Sequence, residues 1–254
     1  FYPQAATAFF FTEAIILSSL VFHGQSHDQV FMNLDQALFG FQPAVVFGPS
    51  FYSSVWLNEL MFGSYFFYYA MLAITPWIPW FTGKKQEAER FVFAFALFSG
   101  FFDVFYVLFR VQGPKYWLPQ LRSVWYSQFE GGLFVPFFQH LFDQATLSGA
   151  AFPSSHVSEA TLFTILAARI DKRLLYLYVP LSALIAMATV YIYAHWAVDV
   201  LGGLICGLLL TPIVLKAFGP FEAAGGRIGT MLGQLAQPSV NQNTKRRSGG
   251  KIRP

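Results

Sequence analysis

The chain has 254 residues, of which 55% are hydrophobic, 19% aromatic and only 11% charged. Soluble domains carry about 25% charged residues, so the composition excludes an ordinary soluble domain and points to an integral membrane protein. The net charge of +3 does not call for nucleic acid, because the basic residues are segregated along the chain as membrane topology requires.

A membrane-crossing helix needs about 20 mostly apolar residues. Six stretches meet or approach that length: about 5–22, 54–81, 91–109, 156–170, 174–193 and 196–215. The expected fold is therefore all-α, a bundle of six transmembrane helices. The fourth stretch is short, and the prolines of TPWIPWF (Thr75–Phe81) can break the second into two elements.

Two connections are long, 23–53 and 110–153. Both mix aromatic and polar residues with Gly and Pro, which predicts re-entrant or interfacial helices rather than extended coil. GGLFVPFFQHLFDQ (131–144) is expected to lie along the surface with His140 and Asp143 turned to water.

With six spans, both chain ends fall on one face. That face receives thirteen Lys and Arg, including Lys84, Lys85, Arg169, Lys172, Arg173 and the segment KRRSGGKIR, while the other receives only Arg110, Lys115 and Arg122. The bias assigns the crowded face to the cytoplasm. Residues 1–237 read as one membrane-embedded domain and 238–254 as a basic, disordered cytoplasmic tail.

The unusual polar residues gather at the opposite, extracytoplasmic or lumenal end. GAAFPSSHVSEATLF (149–163) opens the fourth span, LFRVQGPKYW (108–117) follows the third, and HWAVD (195–199) lies between the fifth and sixth. Pro153, Ser154 and Ser155 form a helix start with a serine cap. A helix N-terminus offers unpaired N–H groups and a positive dipole end, which suits a phosphate, and Lys115 and Arg110 add positive charge. On a helix, His195 and Asp199 would share a face. The carboxylate could then hold one ring nitrogen and leave the other as a nucleophile. His156, in the first turn of its helix, is placed to protonate a leaving oxygen.

FPSSH (152–156) and HWAVD resemble the second and third signatures of the type 2 phosphatidic acid phosphatase superfamily, P-S-G-H and S-R-x5-H-x3-D. LFRVQGPKYW resembles the first-signature region of its inositol phosphorylceramide synthase-like branch, and LDQALFGFQP (34–43) that branch's outer loop. The resemblance implies a phosphohistidine on His195, support from Asp199, acid and then base action by His156, and phosphate binding by Lys115, Ser154 and Ser155, without metal or cofactor. The Ser-Arg of the third signature falls on Ala188 and Thr189, a departure shared with the synthase-like branch.

Several other readings compete. Two histidines and an aspartate can bind zinc, but Lys115 and Arg110 oppose a cation. His23, His27 and Asp28 can also ligate metal, although an interfacial loop is the simpler reading. Asp103, a carboxylate inside the third span on nearly the same face as Arg110, is either a functional residue or a partner of Arg110 or another basic group, and Glu159 is expected either to orient His156 or to meet an acceptor hydroxyl. GGLICG (202–207) reads as a close-packing surface. The function expected is transfer of a phosphoinositol-type group from a lipid phosphate to a lipid acceptor. Hydrolysis with water as acceptor is the alternative, and an anion channel or transporter the alternative of another class.

Overall fold

The computed structural model describes residues 2–144 and 147–236, and among these every regular element is helical. The expected basic tail, 238–254, lies outside the described residues. The chain divides into two compact units, Phe1–Lys216 and Ala217–Pro254. The site treated below lies wholly in the first.

Helix α1 (Tyr2–Val21) leads into α2 (Asp28–Phe39), α3 (Pro43–Val46) and a 3-10 turn at Pro49–Phe51. Then come α4 (Val55–Ile74), α5 (Trp77–Phe81) and α6 (Lys85–Leu108). The second long connection folds into α7 (Pro114–Trp117), α8 (Pro119–Gln128) and α9 (Phe134–Gln144). It is followed by α10 (Ser155–Ile170), a 3-10 turn at Lys172–Leu174, α11 (Leu175–Tyr191) and α12 (Ala197–Ala236). Both long connections are thus largely helical, as their composition predicts.

Among the described residues, four segments are long and apolar enough to cross a membrane: Pro3–Val21, Lys85–Leu108, Lys172–Tyr191 and Ala197–Arg227. The expected six therefore reduce to four on length and hydropathy. The other two candidates are α4, which carries Asn58 and Glu59 and stops before Pro76, and α10, whose 16 residues span about 24 Å.

Helix α6 shows how the bundle is held. Phe91, Phe95, Phe98, Phe102 and Tyr106 recur at helical spacing, and all are buried in one cluster that includes Phe163, Leu166 and Ile185. Val104 and Leu108 on the same helix are exposed, as are Phe9, Leu20, Leu208 and Ile213 elsewhere. Such outward apolar surface suits lipid. In lipid, burying one more apolar ring removes little water, so close packing and buried hydrogen bonds must select the arrangement. The polar residues of α4 illustrate this. Asn58 donates to the Tyr52 and Glu130 carbonyls (2.7 and 2.9 Å) and accepts from the Tyr191 hydroxyl (2.5 Å). Glu59 accepts the N–H groups of Gly132, Leu133, Phe134 and Val135, tying down the start of α9. Helix α9 then buries Val135, Phe138 and Phe142 while His140 and Asp143 stay exposed, matching the amphipathic reading.

The glycines of GGLICG admit a close helix pair. A Cβ on Gly203 would meet the Ser154 carbonyl at 2.6 Å, and one on Gly207 the Thr161 Cβ at 2.7 Å. Ser158 fastens the same contact by donating to the Gly203 carbonyl (2.7 Å). Helices α10 and α12 are thereby locked together at the end where the polar residues gather.

Candidate active site

Ser154 starts α10 from an extended backbone conformation, its hydroxyl accepting the Val157 N–H at 3.4 Å. Its own N–H donates to the Asp199 carbonyl at 3.1 Å, joining the mouth of α10 to the first turn of α12. Tyr106 donates to the Pro153 carbonyl (2.7 Å) and fixes the approach to that mouth.

Between α11 and α12 the chain turns sharply through Tyr193, which holds a left-handed φ of 63°. A bulky residue rarely adopts that conformation, and where it persists the surroundings impose it. Here the Tyr193 hydroxyl bonds Tyr52 (3.1 Å), its carbonyl accepts the Lys115 N–H (3.0 Å), and the Ala194 and His195 N–H groups both return to the Thr189 carbonyl. The turn delivers His195, only 3% exposed.

His195 Nδ1 lies 2.8 Å from the Ala151 carbonyl. A carbonyl only accepts, so Nδ1 carries the hydrogen and Nε2 keeps its lone pair. Asp199 Oδ2 is farther from that nitrogen, at 3.6 Å, and accepts the Trp196 N–H at 2.8 Å. This corrects the expectation that both residues share a helix face: α12 begins at Ala197, so His195 precedes it. Asp199 shapes the turn, and a backbone carbonyl sets the tautomer.

His156 occupies the first turn of α10, its ring 5.7 Å from that of His195 in an edge-on arrangement. Tyr65 stacks on it at 4.8 Å, and Tyr68 leans on it at 4.5 Å. Both its ring nitrogens are buried without a partner among the described residues. Two imidazoles thus face each other in a closed aromatic setting, one with a fixed tautomer and one with its nitrogens uncommitted.

A family model of the PAP2 superfamily matches residues 87–222, just over half of the chain. The chain belongs to the PAP2 superfamily. Members of this superfamily, the type 2 phosphatidic acid phosphatases, are generally phosphatases or phosphotransferases acting on lipid phosphates. The match spans Arg110, Lys115, Ser154, Ser155, His156, His195 and Asp199. No curated protein and no solved structure matches the chain.

In this PAP2 chain Lys115 is 8% exposed, its ammonium 3.9 Å above the Phe142 ring. Burial, and then the charge of Arg122, lower its pKa to about 7. His195 is lowered to about 4, mainly by burial and further by Lys115, while the bond to Ala151 opposes the shift. The nucleophile candidate is therefore neutral near pH 7, as an attacking imidazole must be. Lys115 is close enough for its charge to act on His195.

Arg110 is brought elsewhere. It is 4% exposed, donates from Nη2 to Ser148 (3.2 Å), and packs against Gly149. It makes no hydrogen bond or ion pair with either histidine among the described residues. Asp103 lines a cavity rather than pairing with Arg110. Glu159 accepts from Tyr68 and from Ser99 (3.1 Å), and neither oxygen bonds His156.

Sequence reading missed the part played by α2. Asp28 and Asp35 are fully buried. Asp28 accepts the Gln112 N–H (2.7 Å), the Gly113 N–H (2.8 Å) and the Trp196 indole N–H (2.9 Å), joining the Lys115 loop to the His195 turn. Gly113 sits there at φ 84°, where any Cβ would meet the Ala194 carbonyl at 2.5 Å. Asp35 accepts from Ala197 and Val198, both at 2.9 Å, and caps α12. With both Asp28 oxygens taken by N–H donors, a metal on His27 and Asp28 does not fit; His27 instead stacks on Phe109 at 4.6 Å. The spacing 28, 31, 35, one helix face carrying two acids and a phenylalanine, is the signal that was available.

Proposed function

We propose that the protein is a membrane phosphotransferase that acts on a lipid-linked phosphate through a phosphohistidine on His195. The observation that carries this is the pair of facing imidazoles 5.7 Å apart, one of them buried and held through Nδ1 by Ala151. The Nε2 lone pair of His195 attacks phosphorus, the bond to the departing alcohol oxygen breaks, and His156 gives that oxygen its proton. Lys115 and the serine-capped start of α10 hold the charge that develops on the non-bridging oxygens. His156 then takes the proton of an acceptor hydroxyl, whose oxygen attacks phosphorus and releases His195. A lipid acceptor completes a transfer, for example of a phosphoinositol-type group to ceramide or diacylglycerol; water as acceptor makes the protein a phosphatase.

The segregation of Lys and Arg along the chain supports a site facing the extracytoplasmic or lumenal side. Purified protein given labelled phosphatidylinositol, with and without ceramide, tests the reading. The expected result is a labelled product that depends on ceramide and an acid-labile phosphoenzyme that vanadate suppresses. In His195→Ala both vanish, with turnover down about 10⁴-fold or more. Turnover persisting in that variant sinks the mechanism. Release of free label without ceramide moves the assignment to the phosphatase.

A further inference from the structure

His156 also lines a cavity of ≈ 260 Å³ bounded by α1, α4, α6 and α10, far from the small polar niche that a lone attacking water needs. Asp103, Glu159, Tyr68, Tyr69 and Phe102 contribute to its wall, and no Lys or Arg does. Glu159 has both oxygens engaged by hydroxyl donors, Tyr68 and Ser99. Asp103 is half-buried in an otherwise apolar stretch of α6 and makes no hydrogen bond or ion pair among the described residues. An ionisable group inside a membrane helix is costly and marks a functional position.

Asp103 among aromatic faces, with no Lys or Arg in the wall to answer it, attracts a positive charge. Aromatic rings strengthen that preference where water is excluded. The cavity adjoins His156, so the charge belongs to a group carried by the lipid that reacts there. We infer that the cavity binds the ammonium group of a substrate lipid whose phosphate or hydroxyl reacts beside His156, with Asp103 as its counter-ion and Tyr68, Tyr69 and Phe102 as its walls. The substrate's role rests on the phosphoryl-transfer reading; ammonium binding does not. Two sources carry this chemistry: the head group of an amine-bearing phospholipid and the polar end of a long-chain amino alcohol.

The test begins with binding, in lipid nanodiscs, using the His195→Ala protein so that turnover plays no part. Choline and its neutral isostere 3,3-dimethyl-1-butanol are compared by saturation-transfer NMR. Choline is expected to bind roughly 10-fold or more tightly, the scale of a desolvated cation–aromatic contact. Adding Asp103→Asn should bring the ratio close to one, whereas Asp103→Glu should keep choline ahead. Because each ratio is measured within one preparation, partial unfolding cancels. Equal binding of the two probes in the parent protein overturns the proposal, as does an unchanged ratio in Asp103→Asn. A turnover arm with active protein then separates the sources. Phosphatidylethanolamine against phosphatidylglycerol as donor tests the head group, and a long-chain amino alcohol against a long-chain diol as acceptor tests the lipid. Preference for the amine in either pair supports the proposal, and preference for the neutral compound in both rejects it. No turnover at all, with choline binding intact, rejects the transfer reading alone.

Discussion

The reaction centre and the α2 clamp beside it both bury charged or polar groups, but they use them in opposite ways. At the centre the groups are left underemployed: His156 has no partner for either ring nitrogen, and Asp199 Oδ1 has none. At the clamp, Asp28 and Asp35 spend every oxygen on N–H donors from the two loops that carry Lys115 and His195. A buried group with all its bonds made is scaffold, while one with bonds left open is available for a ligand. The contrast teaches that acidity in this fold is not by itself a mark of chemistry.

The sharpest way to break that distinction is at His156. If its nitrogens are open because they exchange a proton with the alcohol, His156→Asn should lower kcat by about 10²–10⁴-fold. The loss should shrink for a substrate whose leaving group is a good one, such as a nitrophenolate, which needs no proton. An equal loss for both substrates means that His156 packs rather than reacts.

The clamp should answer differently. Asp28→Asn keeps the shape but puts an amide donor against N–H donors, and leaving a buried donor unsatisfied costs about 1–3 kcal/mol. The expected result is a lower unfolding midpoint and a kcat reduced by roughly 10-fold, with the phosphoenzyme still formed and the leaving-group dependence unchanged. Asp35→Asn should cost less, because α12 keeps the rest of its helical bonds; loss of a cap is worth about 0.5–2 kcal/mol. If Asp28→Asn instead altered the leaving-group dependence as His156→Asn does, the clamp would belong to the chemistry.

The two regions were not equally legible in the sequence. The centre was, because its signals are local: a proline and two serines ahead of an apolar run, and a histidine four residues before an aspartate. Most of the helices were legible for the same reason, since apolar runs bounded by Gly, Pro and charge report themselves. What the sequence hid depends on contacts between distant segments. The tautomer of His195 is set by the Ala151 carbonyl, a backbone group with no residue signature. Asp28 and Asp35 bond backbone N–H groups more than eighty residues away, so nothing nearby reveals their partners. Arg110, whose charge suggested the phosphate, is turned by the end of α6 toward Ser148 and Gly149, contacts that its position in the sequence does not announce. The count of membrane-crossing helices differed for a plainer reason: α10 is short and α4 carries polar residues that serve the interfacial loops.

The last comparison tests the electrostatics of the proposed reaction centre. Lys115 lies under Phe142 with its pKa lowered from the ordinary lysine value to about 7, chiefly by burial. In the empty site it is charged below that pH and increasingly neutral above it. Since the charged form is the one that attracts a phosphoryl anion, vanadate or phosphate affinity should weaken as pH rises from about 6 to 8.5, approaching 10-fold per unit only above pH 7. Lys115→Met should bind weakly throughout and flatten that profile, apart from the titration of the anion itself, which a soluble control can subtract. The linked stability effect has the opposite sense. Between pH 7 and the unfolded lysine value near 10.4, the unfolded chain holds a proton at this position that the folded one has released, so the empty protein gains stability as pH rises through that window. An anion bound in the site should oppose this by restoring the charge, so the stabilisation that vanadate confers should shrink as the pH is raised. A vanadate affinity independent of pH, with the same profile in Lys115→Met, would show that the positive end of α10 holds the anion without the lysine.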